Sequence, residues 1–172
     1  IDQYIYKTKA YLSEKENGML QGTDMKWEAM IPVIKKQIPL FIHANKILQI
    51  KNAIDFSKKH NIKMVLVGGT DSWLVTELLR ENDIPVIYEH PLSTPSRRWE
   101  PYTIKYDIPH LLHEAGVKFC IAASSSSFQA PHQRNLPYEA AMAISYGLDK
   151  NQGLKSITLS AAEILGIDDR VG

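Results

Sequence analysis

The sequence predicts an α/β fold built from four consecutive parallel strand–helix units. Three observations lead there. Short apolar runs rich in Ile, Val, Leu and Phe recur at 38–44, 63–67, 84–88 and 117–123. None alternates cleanly between apolar and polar residues, which is how strands covered on both faces of a parallel sheet read. Between the runs, apolar residues fall at helical spacing, so each strand is followed by a helix and another strand.

The elements follow in order. Residues 1–36 form a helical lead-in, in which 1–16 and 24–36 read as two helices joined by a Gly-containing polar stretch. The first strand, I-P-L-F-I-H-A, reaches His43 near its end. In the helix over 46–60, Ile47, Ile50, Ala53, Ile54 and Phe56 keep roughly one face, and His60 reads as its polar end. The second strand runs into Gly68-Gly69-Thr70-Asp71. There the glycines suit a strand-to-helix turn and Thr70 or Asp71 a helix cap; an anion cradle at the helix start is the rival reading. The helix over 72–81 offers Trp73, Val75, Leu78 and Leu79.

The third strand ends at Glu89-His90 and opens the one long connection, H-P-L-S-T-P-S-R-R-W-E-P-Y. A loop of that length in a compact domain is more often functional than accidental. The helix over 106–115 buries Ile108, Leu111 and Leu112; His110 and His113 share it, with packing or surface roles expected. The fourth strand carries Cys120 and runs into four serines, Ser124 to Ser127. Helices over 137–145 and 161–165 close the chain. Pro137 suits a first helical turn, and Ser160 with Glu163 makes a capping box. The four units thus occupy 38–150 and the C-terminal helix falls within 151–172, all within one domain spanning 1–172.

The bulk composition sets limits on function. The chain has 172 residues, with 20 basic against 19 acidic side chains, a formal charge of +1. That balance gives no electrostatic reason to expect nucleic acid or an anionic membrane as partner. A small-molecule substrate or ligand is expected instead. The single cysteine, Cys120, rules out an internal disulfide framework and sits in an apolar run as a buried, inert thiol should. No apolar stretch approaches the roughly 20 residues that cross a bilayer. The first residues are amphipathic and not signal-like, which suits a soluble protein of cytoplasm or periplasm. The chain opens on Ile1, so a longer parent protein is expected.

Four strand–helix units can close an open doubly wound sheet, or they can be half of an eight-stranded barrel. In either case chemistry belongs at the carboxyl ends of the strands. Those ends carry His43-Ala44-Asn45, Gly68 to Asp71, Glu89-His90 and the four serines. On residue chemistry alone, His43 is a hydrogen-bonded strand-end residue, a catalytic base or a metal ligand.

Read together, the stretches I-P-L-F-I-H-A-N, V-L-V-G-G-T-D-S-W, R-N-L-P-Y-E-A-A-M-A-I-S-Y-G-L and I-T-L-S-A-A-E-I-L-G-I-D-D-R-V-G resemble the amidohydrolase superfamily. The likeness is to its imidazolonepropionase-like and dipeptidase-like members, and it covers the chain from Pro32 onward. It implies the later half of a TIM-type barrel of the metal-dependent hydrolase kind, strands five to eight. The implied activity is hydrolysis of C–N bonds in cyclic amides or small peptides, using zinc or another divalent metal held at strand ends. His43 matches the ligand after strand five. The strand-six histidine is replaced by Gly68, and the strand-eight aspartate by Ser124, or by Ser125 if the register slips by one. Gly69, Thr70, His90, Ser125 and His132 become candidate substrate contacts. A neutral serine is a poor zinc ligand and a far weaker base than a carboxylate. A non-catalytic relative, a barrel kept as a binding scaffold, is therefore the alternative. A half barrel leaves apolar residues bare at two edges, so a homo-oligomer or association with the missing half is expected.

Overall fold

The computed structural model describes every residue except Gln21, His90, Ser125, Ser126 and Phe128. The four expected strands are present as β1 (Leu40–Ala44), β2 (Met64–Gly68), β3 (Val86–Glu89) and β4 (Phe119–Ala122). All neighbours pair in parallel and the sheet order is β1-β2-β3-β4. A doubly wound sheet would reverse its strand order about the first strand. This one advances by one neighbour per unit, as the wall of a (β/α) barrel does. The chain is half of a TIM-type barrel.

Eight α-helices surround the sheet in the described chain. They are α1 (Asp2–Glu16), α2 (Met25–Ile34), α3 (Ile47–His60), α4 (Thr76–Glu81), α5 (Ile104–Glu114), α6 (Leu136–Ser145), α7 (Lys150–Ser156) and α8 (Leu159–Leu165). Three local features depart from the sequence expectations. The helix expected over 72–81 is broken: a 3₁₀ turn at Ser72–Leu74 precedes α4, with Val75 between them. The segment 151–172 holds α8 after α7, which runs into it from Lys150. The capping box at Ser160 does not form, because α8 starts two residues earlier than expected, after Thr158. Ser160 is buried inside the helix, and Glu163 pairs with Lys118 and Lys155.

Strand parity sorts the side chains onto two faces. Ala44, Leu66, Val86, Tyr88, Phe119 and Ile121 point to the helices and form the main core with Ile50 and Ile54 of α3, Leu79 of α4, Ile108 and Leu112 of α5, and Ala143 of α6. The opposite face, the bore of the barrel wall, carries Phe41 and His43, Val65 and Val67, Ile87 and Glu89, Cys120 and Ala122. Near the amino ends of the strands α8 lies across this face, and Ile164 packs with Val65 and Cys120. The Cys120 thiol is 3% exposed, and burial pushes its pKa up to about 12, so it is an inert apolar filler. Toward β1 the bore face is open: Phe41 is 41% exposed.

The lead-in helices are tied down by polar contacts. Asp24 caps α2 by accepting from the Lys26 N–H. Glu28 accepts from Tyr11 Oη at 2.8 Å and from Lys15 Nζ at 2.6 Å, locking α2 to α1. His60 was expected as the polar end of α3 and is instead buried. Its Nε2 pairs with Asp2 Oδ1, and its ring packs against Tyr6 and Phe56. The start of α1 is thereby pinned to the end of α3.

Candidate functional site

The carboxyl ends of the strands are organised around a buried ion cluster. Asp71 follows the β2 turn and is 0% exposed. Arg97, from the long connection, donates to it through both terminal nitrogens, at 2.9 Å and 2.5 Å. The same guanidinium donates to Glu100 Oε1 at 2.6 Å, while Glu100 Oε2 accepts the backbone N–H groups of Ser96 and Arg97. Burial pushes the Asp71 carboxyl up, but the Arg97 bonds and the Ile47 N–H outweigh it and hold its pKa below the usual carboxylate range. That Ile47 N–H, 3.2 Å away, is at the first residue of α3. Asp71 therefore serves the N-terminus of a different helix from the one it precedes in sequence. The connection over 91–102 is an anchored structure, folded over the β2 and β3 ends by one two-pronged arginine.

The second feature is Asn45, just past β1. Its Oδ1 accepts from Thr70 Oγ1 at 2.9 Å and from the Thr70 N–H at 3.3 Å. This clips the β1 end to the β2 turn. Gly68 and Gly69 both adopt positive φ, +93° and +66°. A Cβ added at Gly68 would lie 2.6 Å from Asn45 Oδ1. Glycine is required here twice over, by backbone angle and by the amide that fills the space. The two glycines thus make a strand-to-helix turn, closed by the Gly69 N–H on the Ala44 carbonyl and the Ser72 N–H on the Gly69 carbonyl.

The remaining candidates are dispersed. His43 is exposed on the bore face of β1, level in register with Val67, Ile87 and Cys120. Ser124 follows β4 and is partly exposed. His132 is exposed in a 3₁₀ helix, Ala130–Asn135. His90 and Ser125 lie outside the described residues. Among the described residues, no group of three or more His, Cys, Asp or Glu side chains is close enough to hold a metal ion. The donors at the three positions that the sequence resemblance marks, His43, Gly68 and Ser124, do not fit a zinc or other divalent centre: one imidazole, one glycine whose side-chain space is taken, and one neutral hydroxyl.

What the fold does gather is a cleft of about 390 Å³ at the carboxyl ends of the strands. Asn45, Thr70, Glu89, Ser96, Lys105 and Gln129 are among its lining residues; His43 and His132 are not. Of the expected contacts, Thr70 is the one placed here. Lys105, in the first turn of α5, is 4% exposed; its carbonyl accepts from Tyr88 Oη at 3.0 Å, while its side chain makes no hydrogen bond among the described residues. Burial pushes its ammonium pKa below the usual lysine range. Sequence reasoning passed over Lys105, although a signal existed: it shares the apolar stripe of Ile108 and Leu112 at i, i+3 and i+7, where a lysine is out of place.

This structure is similar to the crystal structure of an amidohydrolase from Thermotoga maritima, with a TM-score of 0.82 and 28% identity. The match covers 99% of this chain and 45% of that one, so the chain spans less than half the length of the amidohydrolase it resembles. A second crystal structure, of an uncharacterised protein, is similar at a TM-score of 0.57 and 16% identity, over 83% of this chain and 37% of that one; this likeness speaks to the fold alone. No family model and no curated protein matches the sequence. Fold and likeness together define an amidohydrolase-like half barrel. No helix among the described residues is long and apolar enough to cross a membrane.

Proposed function

We propose that this chain supplies the strand-five-to-eight half of an amidohydrolase-type barrel, in a protein that acts on the C–N bonds of cyclic amides or small peptides. The observation that carries this is the likeness to the Thermotoga amidohydrolase over nearly the whole chain, joined to a polar cleft at the carboxyl ends of the strands, where such barrels do their chemistry. Within that reading, Thr70 lines the cleft, and Gly69 belongs to the turn that carries it. The other half of the barrel, or a second copy of the chain, completes the bore.

A second reading is favoured by a specific observation. Asn45 occupies the space a side chain at position 68 would need, and Thr70 holds it there. A barrel with that position sealed is suited to binding a small molecule without hydrolysing it. Metal analysis of the full-length protein, together with turnover of a panel of cyclic amides and dipeptides, separates the two. The hydrolase reading expects stoichiometric zinc that is lost in His43→Ala, with turnover lost alongside. Ligand binding with neither metal nor turnover establishes the scaffold.

A further inference from the structure

Two charges in the cleft have nothing to do inside the protein. Lys105 is almost fully buried, and its ammonium makes no hydrogen bond or ion pair in the described chain. Its charged neighbours are Glu100, Lys46, Asp71 and Arg97. Those four balance one another, two carboxylates against two cations, and Arg97 already occupies both carboxylates. Lys105 is the excess cation. Glu89 lines the same cleft from the bore face of β3, and its carboxylate likewise has no hydrogen bond or ion pair in the described chain. The two are too far apart to pair with each other. The Lys105 Nζ is not among the fully buried polar atoms that lack a partner, so the ammonium opens into the cleft from an otherwise covered side chain. A cation held there with no internal counter-charge is placed to meet an anion from outside.

We infer that the cleft binds a small zwitterion, its carboxylate on Lys105 and its amino or other cationic end toward Glu89. The neutral groups around them, Asn45, Thr70, Ser96 and Gln129, are hydrogen-bonding side chains that suit a polar ligand. A volume of about 390 Å³ is in the range of sites for small molecules. This inference rests on the proposal above that the carboxyl-end cleft is the ligand site, and it names the ligand class that cleft takes. It requires neither a metal nor hydrolysis.

The test is binding to the full-length protein, by calorimetry or by NMR titration, of two matched pairs: acetate against acetamide, and glycylglycine against glycylglycinamide. The carboxylate of each pair is expected to bind at least about tenfold tighter than its amide, as a charge-assisted hydrogen bond requires. Lys105→Met should erase that preference while leaving the melting temperature unchanged or higher, since it removes a charge that has no partner in the described chain. Glu89→Gln should weaken glycylglycine and leave acetate untouched. Equal binding of carboxylate and amide to the unaltered protein, or no binding of either, overturns the inference without any variant. So does a Lys105→Met protein that keeps the preference, or one whose melting temperature falls as far as that of Arg97→Ala, which would make Lys105 a prop for the ion cluster. Carboxylate binding without turnover would sink the hydrolase reading and leave this inference standing.

Discussion

At the scale of single residues, Gly68 carries the most information. Its φ of +93° and the Asn45 oxygen in its side-chain space exclude any L-residue without local rearrangement. Gly68→Ala is expected to destabilise by about 1–3 kcal/mol, measured by urea denaturation. Introducing the histidine that the resemblance expects there, by Gly68→His, should therefore yield a less stable protein and no gain in zinc affinity. A stable Gly68→His variant that takes up zinc would contradict this account. Glu139, in α6, gives a second prediction. It is buried, its Oε2 has no hydrogen-bond partner among the described residues, and burial raises its pKa. A carboxyl whose pKa is raised on folding contributes stability that is full below its ordinary value of 4.5 and is lost as pH rises through the folded value. The stability of the wild type relative to Glu139→Gln should accordingly fall as pH rises above the ordinary value of 4.5. A pH-independent difference would show that Glu139 is not the titrating group.

At the scale of elements, the long connection matters most. Its length suggested function, and Arg97 within it does clamp carboxylates. The carboxylates it clamps are the protein's own, Asp71 and Glu100. Removing one partner of a buried ion cluster strands the others, so Arg97→Ala should cost about 3–5 kcal/mol, again by urea denaturation. Acid should act in the same direction for a different reason. The Asp71 pKa is held low, so its contribution is present above the ordinary aspartate value of 3.8 and is lost as pH falls through the folded one. Limited proteolysis at falling pH should cut within 91–102 before the strands are attacked. Cleavage that begins in α3 or α5 would show that the cluster does not anchor this loop. The Asp71 carboxylate is turned toward α3 and makes no cap bond to the 3₁₀ turn that it precedes, and α4 starts only after Val75.

At the scale of the whole molecule, the consecutive strand order makes a wall with two free edges, β1 and β4. The bore face is covered at its floor by α8 and is open near β1, where Phe41 and His43 are exposed. Exposed edges and an open apolar face favour pairing with another strand set. These residues expressed alone should therefore self-associate in sedimentation, and Phe41→Lys should shift the distribution toward the monomer. A monodisperse monomer that binds no hydrophobic dye would refute this. The parallel strands and their helices were legible in the sequence because each must bury an apolar face of fixed period, and that period survives in the one-dimensional pattern. Strand starts were placed one or two residues early because prolines and polar flanks, as at Pro39 and Pro85, blur where pairing begins. His43 could be assigned to a strand end by the same pattern, and the turn at Gly68-Gly69 by its composition. Periodicity says what a segment must cover and nothing about which distant polar group meets which. The Asn45–Thr70 clip, the helix that Asp71 caps, the pairing of His60 with Asp2 and the isolation of Lys105 beside Glu89 were therefore settled only when the chain folded, because each depends on distances between residues far apart in sequence.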